Sequence, residues 1–243
     1  PCRQSRGPLP HPNQMLPPTA INDGPPVTPR HSATVLLVRG REPWELLLMR
    51  RPGGADFAPG AYVFPGGTVR EDDQASGDEI RAAAVRELFE EVGILLARHG
   101  KRFAREDDSE KARHLIANGK TFGEALRELG LEPAFDRLVM FARWVTPAQL
   151  RRRYDARFFL AQLPANQAIS PQEGEVTDWL WIEPQKALAS RDLTLVYATR
   201  AVLESVASDE DAAKLLSRAR RLREIPTVEP RLVQTESGWE IVR

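Results

Sequence analysis

The chain has 243 residues, of which 42% are hydrophobic and 28% are charged, a balance that is ordinary for a globular protein with a substantial core. Its 34 basic and 34 acidic residues give a formal net charge of zero, which argues against nucleic acid or an acidic membrane surface as the main partner. The single cysteine, Cys2, excludes an internal disulfide framework and fits a reducing compartment.

The N-terminal segment, residues 1–30, is rich in proline and shows little apolar periodicity, which predicts a disordered tail. No apolar run approaches the ~18 residues of a membrane span, and the first residues lack the apolar stretch of a signal peptide. The final residues, WEIVR, are not a peroxisomal tripeptide of the Ser-Lys-Leu kind. We therefore expect a cytoplasmic protein with no membrane partner.

Strands are predicted from Ser32 onward. The runs SATVLLVRG and WELLLMRR flank a short turn, and AYVFPGG forms a third strand that ends at Pro65 and a glycine pair. Three later segments are rich in aromatic and β-branched residues and also predict strands, at 137–146, 156–163 and 176–182.

The clearest helix is predicted over residues 78–92, because apolar residues recur there at i, i+3 and i+4. Ser76 or Asp78 can cap its start, and Gly93 stands where a C-terminal glycine belongs. A helical insertion is expected near 104–130. Further helices are expected near 185–190, 194–207 and 209–223, with a terminal hairpin after them.

Three carboxylates, Glu87, Glu90 and Glu91, share one face of the 78–92 helix, where like charges repel by a few tenths of a kcal/mol per pair. A solvated helix face is one interpretation, since glutamate is a good helix former. The alternative is a site for a hard cation, Mg²⁺ or Mn²⁺, facing the upstream glycine pair.

The segment GG…RELFEEVGI resembles the Nudix box, whose pattern is a glycine, five residues, a glutamate, seven residues, then Arg-Glu-apolar-x-Glu-Glu-x-Gly-apolar. Every fixed position of the second half is matched, from Arg86 to Ile94. The first half is about five residues longer than the pattern. The resemblance covers roughly residues 31–190 and extends to a branch that includes the peroxisomal coenzyme A diphosphatases, whose members also carry an insertion in the box.

The extra residues leave the position of the first box glutamate open. Counting back from Arg86 leads to Asp78, next to Glu79, whereas counting forward from Gly67 leads to Asp73. We expect Asp78 or Glu79 to take this role, with Glu79 preferred if Asp78 caps the helix. Asp73 lies in a polar, glycine-containing stretch that predicts a mobile loop.

The resemblance implies an α/β fold, a Nudix-type α/β/α sandwich with a mixed β-sheet, a helical insertion and C-terminal helices. It implies a Nudix hydrolase domain over 31–192, followed at 193–243 by helices and a tail packed on it. The implied reaction is metal-dependent cleavage of a diphosphate bond in a nucleoside diphosphate linked to another group. Coenzyme A or acyl-coenzyme A is one expected substrate; ADP-ribose, NADH and nucleotide sugars are alternatives.

Site residues follow from the same resemblance. Glu87, Glu90, Glu91 and the Gly66 carbonyl are expected to bind Mg²⁺ or Mn²⁺, and Arg86 to hold a box carboxylate in place. The general base is expected to be a box glutamate, with Glu91 included, or a carboxylate of a later loop, for which Glu175 is the first choice.

Three arginines, Arg50, Arg151 and Arg153, are candidates for binding substrate phosphates, since guanidinium binds them bidentately. A solvated loop is the alternative interpretation of Arg151 and Arg153. A non-catalytic nucleotide-binding module remains the competing function, although such modules usually lose box glutamates that this chain retains. A homodimer is also left open.

Overall fold

The computed structural model describes residues 15–16, 20–55, 58–235 and 238–242. The α-helices that it contains are α1 (Glu79–Val92), α2 (Glu106–Ala117), α3 (Phe122–Glu128), α4 (Pro184–Ala189), α5 (Tyr197–Val206) and α6 (Ala212–Arg220). The strands are β1 (Met15–Leu16), β2 (Arg30–Gly40), β3 (Trp44–Arg50), β4 (Tyr62–Val63), β5 (Gly66–Thr68), β6 (Ala97–His99), β7 (Arg102–Phe103), β8 (Glu132–Pro133), β9 (Val139–Val145), β10 (Tyr154–Gln162), β11 (Asp178–Ile182), β12 (Thr227–Val228), β13 (Arg231–Thr235) and β14 (Gly238–Val242).

The central sheet is mixed and has the strand order β11-β3-β2-β10-β9-β12, with β4 paired to β3 and β5 paired to β2. Strand β2 lies antiparallel to β3 and parallel to β10. In the short pairing of β5 with β2, Gly66 lies opposite Thr34 and Gly67 opposite Ala33. This pairing fixes the glycine pair at the middle of the domain.

The residues of β2 alternate between two hydrophobic cores, which explains why its sequence is an almost continuous apolar run. Val35 and Leu37 pack with helix α1 on one face of the sheet. Leu36 and Val38 pack on the other face with residues of α4, α5 and α6. Helices therefore cover both faces of a mixed sheet, and the predicted α/β/α sandwich is confirmed.

The predicted helical insertion is built from α2 and α3 with a small sheet of order β7-β6-β8. Thr121 caps α3 by accepting a hydrogen bond from the Glu124 backbone N–H. A third core joins the insertion to α1 through Phe89, whose ring centroid lies 5.5 Å from that of Phe122. The insertion is thus fixed to the helix that carries the three glutamates.

The predicted disordered tail, residues 1–30, lies partly outside the described residues, because 1–14 and 17–19 are not among them. Over its described part the structure differs from the prediction. The backbone of β1 pairs with β14, and the Asn22 N–H donates to the Gln149 carbonyl oxygen at 2.7 Å. Strand β2 begins at Arg30. Backbone hydrogen bonds hold this segment against the domain, and such bonds leave no apolar periodicity in the sequence.

The predicted terminal hairpin is present as β13 and β14, which pair antiparallel. It is joined to β1 in a three-stranded sheet. Within the described part of the chain, no helix combines the length and apolar character that crossing a membrane requires.

Candidate active site

Helix α1 carries the box carboxylates and has defined ends. The Asp78 carboxylate caps its start by accepting from the Arg81 backbone N–H at 3.1 Å. Gly93 ends it in a left-handed conformation with φ of 76°. One face, which includes Ala84 and Leu88, is fully buried against the sheet. Glu87 and Glu91 are buried beside that face, and the packing fixes the direction in which their carboxylates point.

The glycine pair of β5 is required by the close approach of the glutamates. The Gly66 N–H donates to Glu91 Oε2 at 2.7 Å. A Cβ atom on Gly67 would lie 2.3 Å from Glu87 Oε1, and one on Gly66 would lie 2.3 Å from the Ala33 carbonyl oxygen. Any larger residue would displace either a carboxylate or the neighbouring strand. The Gly66 amide, rather than its carbonyl, contacts the box, so the carbonyl remains only a predicted metal ligand.

The box arginine, Arg86, is buried and joins the carboxylates to the rest of the fold. Its Nε and Nη2 donate to the two oxygens of Asp73 at 3.0 and 2.9 Å, and Nη2 also donates to the Thr68 carbonyl oxygen. Its Nη1 donates to Glu87 at 2.7 Å and to Glu90 at 3.0 Å. Burial acts to lower the pKa of Arg86, but the bonds to Asp73 and Glu87 outweigh it and raise that pKa. Arg86 is therefore a fixed cation that orients two glutamates.

The carboxylate that takes the place of the first box glutamate is Asp73, which corrects the expectation that Asp78 or Glu79 would do so. Asp73 is buried in a 3₁₀ turn, Glu71–Ser76, and its side chain makes the two bonds to the box arginine. Asp78 is used as the helix cap, and Glu79 lies at the first position of α1. The family spacing of a glycine, five residues and an acid is thus kept between Gly67 and Asp73. The extra residues follow the acid, and the stretch predicted as mobile is an ordered turn.

Burial and mutual repulsion perturb the box carboxylates. Burial raises the pKa of Glu87, although the charge of Arg86 acts in the opposite direction. Burial also raises the pKa of Glu91 well above its usual range; the charges of Glu87 and Glu175 add to this rise, while the Gly66 N–H and Arg51 oppose it. Several negative charges therefore converge in a place from which water is largely excluded, and a cation there would offset their repulsion.

The donor set fits a hard divalent cation in its chemistry, because Glu87, Glu90 and Glu91 offer carboxylate oxygens from adjacent turns of one helix. In this structure two arginines contact these carboxylates. Arg86 and Arg70 both hydrogen-bond Glu90, and Arg70 also lies 3.8 Å from Glu87. Within the described part of the chain, accordingly, no three acidic, histidine or cysteine side chains are arranged as metal ligands.

The loop that carries Glu175 is attached to both the helix and the sheet. The Ser170 N–H donates to the Val92 carbonyl oxygen at 2.9 Å, at the end of α1. The Thr177 N–H donates to the Arg50 carbonyl oxygen at 3.0 Å, at the end of β3. Glu175 itself is exposed and close enough to Glu91 to raise the pKa of that carboxyl. The structure thus brings the predicted base near the box carboxylates.

Two of the predicted substrate-binding arginines have other partners. Arg151 Nε donates to the Ile21 carbonyl oxygen at 2.5 Å. Arg153 donates to the Val27 carbonyl oxygen at 2.9 Å and forms an ion pair with Glu229 at 3.2 Å. The bonds to Ile21 and Val27 fasten the N-terminal segment to the domain. Neither arginine has a described contact with the box carboxylates, and we do not retain either as a phosphate ligand.

The third predicted arginine, Arg50, is the last residue of β3. Arg50 donates to the Gly60 carbonyl oxygen at 3.2 Å and lies over the ring of Tyr62. Its neighbour Arg51 is the one whose charge acts on Glu91. Sequence reasoning selected Arg50 and missed Arg51. The strand alternation was the available signal, because adjacent residues of a strand point to opposite faces.

Comparisons with known proteins point to one family. The model of the NUDT19 Nudix domain matches residues 77–197. A protein of Caenorhabditis elegans named nudix hydrolase 7 is 33% identical over 158 residues, which are 65% of this chain and 52% of that protein. Acyl-coenzyme A diphosphatase NUDT19 of Xenopus laevis is 28% identical in an alignment 206 positions long, which covers 60% of this chain and 54% of that protein. The chain thus spans little more than half the length of these relatives.

A solved structure supports the same relationship. The crystal structure of a NUDIX hydrolase from Alicyclobacillus acidocaldarius has a TM-score of 0.66 and 26% identity, and the match covers 78% of this chain and 96% of that one. The residues matched by the family model include helix α1 with Arg86 and the three glutamates, whereas the glycine pair and Asp73 precede them. The chain belongs to the Nudix hydrolase superfamily.

Proposed function

We propose that this protein is a metal-dependent pyrophosphohydrolase that cleaves the diphosphate bond of a nucleoside diphosphate linked to another group, with coenzyme A or an acyl-coenzyme A as the substrate class. The observation that carries the proposal is the set of three carboxylates, Glu87, Glu90 and Glu91, held against a glycine pair by a buried arginine. Holding like charges together costs stability, and a reaction that needs a cation gives a reason for it.

In this reaction the oxygen of a water molecule bonds to one phosphorus, and the bridging P–O bond breaks to give two phosphate monoesters. Mg²⁺ or Mn²⁺ held by the three glutamates would supply charge neutralisation and a more acidic water. Arg86 keeps Glu87 and Glu90 in place through its bonds to Asp73. Glu175 accepts the proton of the attacking water from its loop beside Glu91.

Coenzyme A is the first choice of substrate because two relatives, from Xenopus laevis and Gallus gallus, are named acyl-coenzyme A diphosphatases. The carboxylate site itself recognises a metal and a diphosphate, which ADP-ribose, NADH and nucleotide sugars share. Arg51, whose charge acts on Glu91, would add positive charge for a bound diphosphate.

The test incubates the purified chain with Mg²⁺ or Mn²⁺ and a panel of coenzyme A, acyl-coenzyme A, ADP-ribose, NADH and a nucleotide sugar, and measures the two monoester products. We expect metal-dependent turnover with coenzyme A compounds as the best substrates. Glu90→Gln and Glu91→Gln should each lower kcat by at least about 100-fold. Activity within tenfold of the parent in both variants would refute the assignment.

A nucleotide-binding module without activity is the second candidate. Retention of all three glutamates and of the arginine that orients them argues for catalysis. Tight binding of a panel compound with no product after prolonged incubation with either metal would favour the module instead.

A further inference from the structure

Arg70 lies at the mouth of the carboxylate site and contacts the glutamates from the solvent side. Its Nη1 donates to Glu90 Oε1 at 3.0 Å, and its Nη2 lies 3.8 Å from Glu87 Oε1. The other oxygen of Glu90 accepts from Arg86 at 3.0 Å. Both oxygens of Glu90 are therefore engaged by arginines, so a cation that binds this carboxylate must share an oxygen with an arginine or displace one.

The two arginines differ in how firmly they are held. The Arg86 side chain is 3% exposed and is fixed by Asp73 and Thr68 in addition to the glutamates. The Arg70 side chain is 52% exposed, and the described contacts of its guanidinium are with Glu87 and Glu90 only. An exposed ion pair of this kind is worth roughly 0–1 kcal/mol. Of the two arginines, Arg70 is the one that can leave.

The backbone of Arg70 stays in place when its side chain moves. Its N–H donates to Asp73 Oδ2 at 2.8 Å, and Asp73 is in turn bound to Arg86. The long side chain therefore turns about a fixed point next to the site. A guanidinium that leaves Glu90 remains within a side-chain length of it.

We propose that Arg70 is an exchangeable internal cation, which occupies Glu90 Oε1 in the metal-free protein and is displaced when a divalent metal binds. This inference rests on the proposed metal site. Arg70 stabilises the metal-free arrangement by offsetting the repulsion between Glu87 and Glu90. It also competes with the metal for an oxygen ligand, so it lowers the affinity of the site for the free ion.

The experiment measures Mn²⁺ binding to the full chain in the absence of substrate, by titration calorimetry or by the electron paramagnetic resonance of free Mn²⁺, for the parent and Arg70→Ala. We expect Arg70→Ala to bind Mn²⁺ about two- to fivefold more tightly, the factor that corresponds to losing an exposed ion pair. Arg70→Lys, which keeps the charge, should lie between the two.

A second measurement separates displacement from a general effect of charge. A metal that binds the folded protein raises its melting temperature. Melting temperatures of the parent and Arg70→Ala, with and without metal, therefore show whether Arg70 and the metal compete. Arg70→Ala should melt below the parent without metal, and this deficit should vanish at saturating Mn²⁺. A deficit of equal size in both conditions would mean that Arg70 stays on Glu90, and the inference would be overturned.

A matched control uses the Arg102–Asp108 ion pair of the insertion, which is similarly exposed and has an N–O distance of 2.8 Å. Arg102→Ala should change neither Mn²⁺ affinity nor the metal dependence of melting. Equal Mn²⁺ affinity of the parent and Arg70→Ala overturns the inference but leaves the metal site intact. Absence of Mn²⁺ binding in both proteins overturns the metal site and the inference with it.

Discussion

Asp73→Asn is the substitution that tests the structure of the box most directly. The side chains of Asp73 and Arg86 are 4% and 3% exposed and share two hydrogen bonds. Removing one partner of a buried ion pair costs about 3–5 kcal/mol, because the remaining charge stays buried. Arg86 retains bonds to Glu87 and Glu90, so we expect the lower end, about 3 kcal/mol. For a chain of this size this lowers the melting temperature by roughly 6–12 °C.

The assay is thermal unfolding followed by circular dichroism, supported by urea denaturation. Asp78→Asn is a matched control five positions along the chain, since asparagine caps a helix about as well as aspartate, and we expect it to change stability by less than about 0.5 kcal/mol. Asp73→Asn should also reduce turnover, because Arg86 would hold the glutamates less firmly. A melting temperature within about 2 °C of the parent for Asp73→Asn would refute the reasoning.

Three further outcomes are expected. Gly67→Ala places a methyl group 2.3 Å from Glu87 Oε1, so Mn²⁺ binding should weaken at least tenfold with unchanged far-ultraviolet circular dichroism, and parental binding would contradict this. Asp155 accepts two bonds from Arg143 at 2.7 and 2.8 Å, which lower the pKa of its carboxyl. The ionised Asp155 therefore stabilises the folded protein fully above the pKa that aspartate has in the unfolded chain, near 3.9. This stabilisation is lost as the pH falls through the lower pKa of Asp155 in the folded protein. Asp155→Asn should cost about 2 kcal/mol at pH 7 and progressively less below pH 4 in urea titrations, whereas a pH-independent cost would argue against the ion pair. Gln167→Leu removes the bonds that Gln167 makes with the Leu95 N–H and the Ala104 carbonyl oxygen, while the Leu95 carbonyl oxygen keeps its bond from the Ala97 N–H. It should cost roughly 3 kcal/mol, and a melting temperature equal to that of the parent would disprove this.

The second half of the box could be predicted from the sequence because its residues share one helix. Helical periodicity alone places Glu87, Glu90 and Glu91 together, and the glycine pair indicates a close approach. The strands were predictable for a similar reason, since β2 is buried on both faces and reads as a continuous apolar run. These features depend on neighbours a few residues apart.

The other features of the site depend on contacts between residues that are far apart in the chain. Asp73 reaches Arg86 through an ordered turn whose polar composition resembles that of a mobile loop. Arg151 and Arg153 resemble a phosphate-binding cluster, but each donates to a backbone carbonyl, 130 and 126 residues away. Arg70 has no spacing signal at all, because its relation to Glu90 arises only when β5 is placed against α1. Composition cannot report such pairings.

The 3₁₀ turn after Gly67 also bears on how the length of this region can vary. The Asp73–Arg86 bond closes a segment with a separation of 13 positions, where the family pattern has 8. Loop-closure entropy grows only with the logarithm of length, so the longer segment costs about 0.4 kcal/mol more to close. Gly77, whose φ is 79°, ends the turn in a place where an added Cβ atom would meet nothing within 4 Å. Chain length can therefore change at this point at almost no energetic cost, while the aspartate and the arginine keep the same relative position.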